Sequence, residues 1–113
     1  MKTRTEYTCP LELTHDIVRG KWKPLIMWIL GKGNCSLAKL KREINGISQK
    51  MLIEQLNELR EFDMVGKNQF EGYPLRVEYF LTERGCKMLD AITIMQQIGS
   101  ELMNDTVTNP TEL

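Results

Sequence analysis

Apolar positions along this chain change their period twice, and the changes mark out its elements. Leu11, Leu13, Ile17 and Val18 fall near helical spacing before Gly20, which predicts a first helix over residues 10–19. Pro10 suits its first turn, where a missing N–H costs nothing. A second helix is expected over residues 24–31, from Pro24 to the Gly31-Lys32-Gly33 stop. It is apolar on nearly every side and should be the most buried. Ser36 can cap a short helix from Leu37 to Ile44, which Asn45-Gly46 then breaks. Ser48 can cap a longer one from Gln49 to Phe62, with Leu52, Leu56 and Leu59 as its inner stripe. Two helices joined by a tight Gly-containing turn, here over residues 36–62, read as a helix-turn-helix.

After Asp63 the period becomes two. Val65, Lys67 and Gln69 oppose Met64, Gly66, Asn68 and Phe70, and Val77, Tyr79 and Leu81 alternate with Arg76, Glu78 and Phe80. Glu71-Gly72-Tyr73-Pro74-Leu75 supplies the turn between them, so residues 64–81 form a hairpin wing. Thr82 caps a last helix over residues 83–103, with Glu83 where the helix dipole favours negative charge. Met88, Ile92, Met95, Gly99 and Leu102 recur at the seam period of helices paired along their length. Leu89, Ile94 and Ile98 widen that surface beyond what one small core covers. The expected fold is therefore mainly α with a small β-hairpin wing, a winged helix-turn-helix, as a homodimer through its N- and C-terminal helices. The plainer alternative is that the last helix merely closes the monomer core. The polar stretch from Asn104 to Leu113, with Pro110, reads as a frayed tail.

Composition narrows the class. A chain of 113 residues, 42% apolar, is expected to be one domain spanning residues 1–113. Its longest apolar run, Pro24 to Leu30, falls short of the ~20 residues a membrane span needs. The first residues carry no apolar stretch of the secretory kind. Cys9, Cys35 and Cys86 form no CxxC pair, and their odd number argues against a disulfide framework, so a reduced, cytoplasmic setting is expected. Basic and acidic residues balance at 15 each, yet residues 1–81 hold 13 basic against 10 acidic. The body can thus present a positive face to phosphates, though the surplus does not demand it.

The candidate chemistry is duplex DNA recognition. An α-helix fits the major groove, and in this motif its first turns reach base edges. With the leucine stripe inward, Ser48, Gln49, Lys50, Ile53 and Asn57 are candidate contacts; Glu54 shares their face but repels phosphate. Gln49 can match adenine, Lys50 guanine or phosphate, and Ser48 with the free helix-start N–H groups a phosphate. Lys39, Lys41 and Arg42, with Lys21 and Lys23 beside Trp22, are expected on the backbone, and Arg76 in the minor groove. Any one lysine alone reads as a solvated surface residue; the set favours DNA. The alternative is a winged-helix protein-interaction module without DNA binding. Cys9 stands at the start of the first helix, where the dipole favours a reactive thiol; a small interface-packing residue is the bland reading. His15, the only histidine, has no companions at metal-ligand spacing. No catalytic constellation or cofactor motif occurs, so neither an enzyme nor a cofactor or metal is expected.

Five segments together resemble the HxlR-type transcriptional regulators, a branch of the winged-helix superfamily. They are Cys9-Pro10-Leu11-Glu12, Gly20-Lys21-Trp22-Lys23, Ile47-Ser48-Gln49-Lys50-Met51-Leu52, Leu56-Asn57-Glu58-Leu59, and Val77-Glu78-Tyr79-Phe80-Leu81-Thr82-Glu83. The resemblance implies a dimeric regulator, often a repressor and sometimes an activator, acting at inverted-repeat operators. Some relatives sense quinones, aldehydes or oxidants through the cysteine at the Cys9 position. The wing departs from the usual Pro-Pro-Arg-like run, with Tyr73-Pro74-Leu75-Arg76 in its place. Neither Cys35 nor Cys86 clearly occupies the second cysteine position of the redox-sensing relatives. The resemblance identifies no small-molecule effector.

Overall fold

The computed structural model describes residues 6–108. Along them run α1 (Pro10–Val18), α2 (Trp22–Leu30), α3 (Leu37–Glu43), α4 (Gln49–Glu61), β1 (Val65–Phe70), β2 (Arg76–Leu81) and α5 (Glu83–Thr108). The order is that of a winged helix: three helices, the recognition helix α4, a two-stranded antiparallel wing and a long closing helix.

Apolar spacing explains why these helices meet. Ile26 and Met27 of α2, Leu40 of α3, and Leu52, Leu56 and Leu59 of α4 are fully buried side chains around which the core forms. Each contributes about 1.5–3 kcal/mol through removal from water. Between α3 and α4, Ile44 and Ile47 are buried while Gly46 turns the chain at a φ of +90°. A side chain there would strain the backbone.

The caps are formed as the serines suggest. Ser36 Oγ accepts from the Lys39 N–H at 3.1 Å, and Ser48 Oγ from the Met51 N–H at 3.0 Å. Thr82 Oγ1 accepts from the Gly85 N–H at 3.0 Å. Gly85 allows α5 to start against the wing: a Cβ at that position would lie 2.0 Å from the Met64 carbonyl oxygen.

Strands β1 and β2 pair in register from Val65↔Leu81 to Phe70↔Arg76. Sequence periodicity gave no sign of a further bridge, in which Cys35 and Tyr79 exchange backbone hydrogen bonds of 3.0 and 2.8 Å. That bridge fastens the loop ahead of α3 to the wing.

Two expected boundaries shift by more than one residue. Helix α2 starts at Trp22, with Pro24 as its third residue, because no first-turn N–H needs an intrahelical partner. Helix α5 continues to Thr108, where a tail from Asn104 was expected: Asn104 and Asp105 are polar but do not break a helix. The rest of that tail, residues 109–113, lies outside the described residues.

Candidate nucleic-acid interface

Burial divides α4 into two faces. Leu52, Leu56 and Leu59 have no exposed surface, whereas Ser48, Gln49, Lys50, Glu54 and Asn57 are exposed and Ile53 is half-buried. Packing the leucines inward therefore projects the polar first turn outward. Asn57 already accepts a hydrogen bond on Oδ1 from Arg60 Nη1 at 3.3 Å. Lys39, Lys41 and Arg42 are exposed on α3, separated from Ser48 by only a short turn.

Other expected cations divide. Lys21 is exposed at the head of α2, its ammonium 4.6 Å from the centroid of the Trp22 ring. Arg76 is exposed on the wing beside a solvent-facing tip, where Tyr73 is fully exposed and Leu75 largely so.

Lys23 is a correction. Expected on the phosphate backbone, it is 4% exposed, and its ammonium donates to Glu58 Oε2 at 2.5 Å and Gln55 Oε1 at 2.8 Å. A cation so enclosed cannot reach a phosphate. Burial alone would raise the Glu58 carboxyl; the hydrogen bond and charge of Lys23 are among the effects that act oppositely, and the net displacement is downward. Sequence reasoning missed this cluster, although its signal was present: Lys23 shares the i, i+3, i+4, i+7 face of Ile26, Met27 and Leu30.

A second surface lies away from α4. The expected seam on α5 splits: Ile92 is buried and Met88 half-buried against the chain's own core, while Met95 and Leu102 are exposed together with Ile94, Ile98 and Met103. Leu11 of α1 and Leu25 of α2 are exposed as well. A groove of about 380 Å³ runs between α1 and α5, with Leu11, His15, Val18, Pro24, Met88 and Met95 among its walls.

The cysteines occupy different environments. Cys9 is exposed at the head of α1, Cys86 is exposed on α5, and Cys35 is buried. Burial pushes the Cys35 thiol up, and Glu43 and Glu78 add to this against the opposing charge of Lys39. Among the described residues, no group of three or more His, Cys, Asp and Glu could hold a metal ion. No described helix is long and apolar enough to cross a membrane.

A polar helix start carried by a helix-turn-helix, followed by a tethered wing, defines the winged-helix class of DNA-binding proteins. Comparison with known proteins narrows the class. Residues 17–107 match the model of the HxlR-like helix-turn-helix family, and the chain belongs to that family. It is 35% identical over 102 residues to a protein named as a regulatory protein, MalR, in Fusobacterium mortiferum, covering 89% of this chain and 96% of the other. It is 39% identical over 80 residues to the HTH-type transcriptional regulator YkvN of Bacillus subtilis, covering 71% and 68%. Among solved structures, the redox regulator HypR in its reduced form superposes with a TM-score of 0.83 at 29% identity, covering 88% of this chain and 99% of that one. Reduced YodB from B. subtilis gives 0.73 at 30% identity, covering 92% and 98%. The chain is accordingly a DNA-binding transcriptional regulator.

Proposed function

We propose that the chain acts in the cytoplasm as a homodimer on an inverted-repeat operator, laying α4 of each protomer in successive major grooves and repressing the gene behind. The carrying observation is the two-faced recognition helix: Ser48, Gln49 and Lys50 exposed over three leucines with no exposed surface. Gln49 and Lys50 read bases, Ser48 and the free helix-start N–H groups take a phosphate, and Ile53 and Asn57 flank the contact. Lys21, Lys39, Lys41 and Arg42 hold the backbone and Arg76 enters the minor groove.

The row of exposed apolar residues on α5, with Leu11 on α1, supports the dimer. It offers the continuous apolar patch that a solitary chain rarely leaves in water. Regulation by oxidants or electrophiles through Cys9 is part of the reading, because that thiol is exposed at a helix start and HypR is a redox regulator. No catalytic role is proposed.

A gel shift with an inverted repeat from upstream of the gene tests the reading. Preference over random duplex at ~150 mM salt is expected. Equal binding to both would overturn sequence-specific regulation, and no binding to either would favour a protein-interaction module.

A further inference from the structure

A line of hydrogen bonds runs from α2 to the start of the recognition helix. Lys23 Nζ donates to Gln55 Oε1, Gln55 Nε2 faces Met51 Sδ at 3.3 Å, and the Met51 N–H donates to the capping Ser48 Oγ. The same ammonium also grips Glu58. Stability alone does not call for a cation here, because a buried ion pair is often no more stable than apolar residues of equal volume.

What the ammonium adds is direction. The three leucines hold α4 to the core by packing that tolerates small rotations and slides, since the hydrophobic effect is non-directional. One ammonium bonded to residues 55 and 58, neighbours on the helix surface, fixes both rotation and axial position. The next residue, Pro24, lines the groove between α1 and α5. The first turn of α2 thus touches the recognition helix on one side and the apolar groove on the other.

We infer that Lys23 is a positioning residue for base recognition: acting through Gln55 and Glu58, it sets the rotation and height of α4 and so where Gln49 and Lys50 meet the bases, without touching DNA. This rests on the DNA-binding reading above. Base-edge hydrogen bonds are narrow in distance and angle, whereas long flexible cations still find phosphates on a slightly turned helix. Displacing α4 therefore removes discrimination ahead of general affinity.

Removing Lys23 alone takes one cationic partner from Glu58 and risks unfolding, so the informative variant is Lys23→Met with Glu58→Met. It is expected to melt near wild type, to bind random duplex with unchanged affinity and salt dependence, and to lose about tenfold of its operator preference. In the free protein, the amide resonances of Ser48, Gln49 and Lys50 should shift, although they lie more than two turns from Glu58 along α4. Gln55→Leu, which keeps the ion pair, should give a smaller loss in the same sense and decides the matter should the double variant not fold. A folded variant that keeps its operator preference, or whose Ser48–Lys50 amides do not move, overturns the inference. The amide measurement needs no DNA. A wild-type chain without operator preference overturns the DNA reading and the base-recognition role with it, whereas unmoved amides overturn the positioning role alone.

Discussion

Arg76 lays its guanidinium over the ring of Phe70, its cross-strand partner at the tip end of the wing, 5.0 Å from the ring centroid. Its Nη2 also lies 3.3 Å from Glu78 Oε1, and the side chain remains 69% exposed. Contacts this exposed add little to stability; they orient the cation and leave it open to DNA. Arg76→Ala should lower affinity for operator and random duplex alike and reduce the slope of log affinity against log salt by about 1. Titrating both duplexes over a salt series checks this. A loss confined to one operator position would make Arg76 a base reader instead.

Ser48 and Lys50 are two residues apart and carry different burdens. The Ser48 hydroxyl holds the helix start together, so Ser48→Ala should cost about 1 kcal/mol of folding stability. Lys50 is exposed; Lys50→Ala should leave the melting temperature unchanged and weaken specific binding by ~1–3 kcal/mol. Thermal melts beside competition gel shifts separate the two effects. Wild-type affinity in the Lys50 variant would strike that residue from the base contacts.

Much of this architecture was legible because helix starts and leucine stripes are local. Ser36 and Ser48 announce their caps, and Leu52, Leu56 and Leu59 announce the inner face of α4, without reference to the rest of the chain. Helical spacing with Ile26, Met27 and Leu30 signals that Lys23 is buried, but its partners are 32 and 35 residues away, and no local rule pairs a lysine with Gln55 and Glu58. The Cys35–Tyr79 bridge was invisible for the same reason. The end of α5 was misjudged because polarity was taken for a stop, although polarity alone does not end a helix.

Glu58 gives the fold an acid-sensitive contact. Its folded pKa lies below the ordinary carboxylate value, so its contribution is complete above the unfolded pKa and is lost as pH falls through the folded one. Glu58→Gln should therefore melt below wild type at neutral pH, and the gap should narrow as pH falls into the acid range. Melting curves of both proteins from pH 7 downward test it. A gap independent of pH would mean that the carboxylate charge does not stabilise the fold.

Ile98 and Leu102 lie one turn apart on α5, exposed beyond the part of the helix that covers the chain's own core. If that row joins two protomers, Ile98→Asp places a charge in an apolar interface and should yield monomers in sedimentation equilibrium. Operator affinity should then fall by more than tenfold, because one recognition helix must act without its partner. The helix-turn-helix core does not include Ile98, so the monomer should remain folded. A variant that stays dimeric would move the interface elsewhere.

Thiol chemistry should sort the three cysteines by exposure. Cys35 is 2% exposed with its thiol pushed up by burial, so it should resist alkylation until the chain unfolds, while Cys9 and Cys86 react in the native state. If Cys9 is the sensor, diamide should release the wild-type protein from its operator, and Cys9→Ser should hold on under the same treatment. Cys86→Ser then separates two mechanisms. Loss of the response in that variant as well points to a bond between Cys9 and Cys86, formed as two thiols give up two electrons and two protons to diamide. A response that survives Cys86→Ser leaves Cys9 to join its counterpart in the other protomer or a small thiol. Release that persists without Cys9 would remove that residue from regulation.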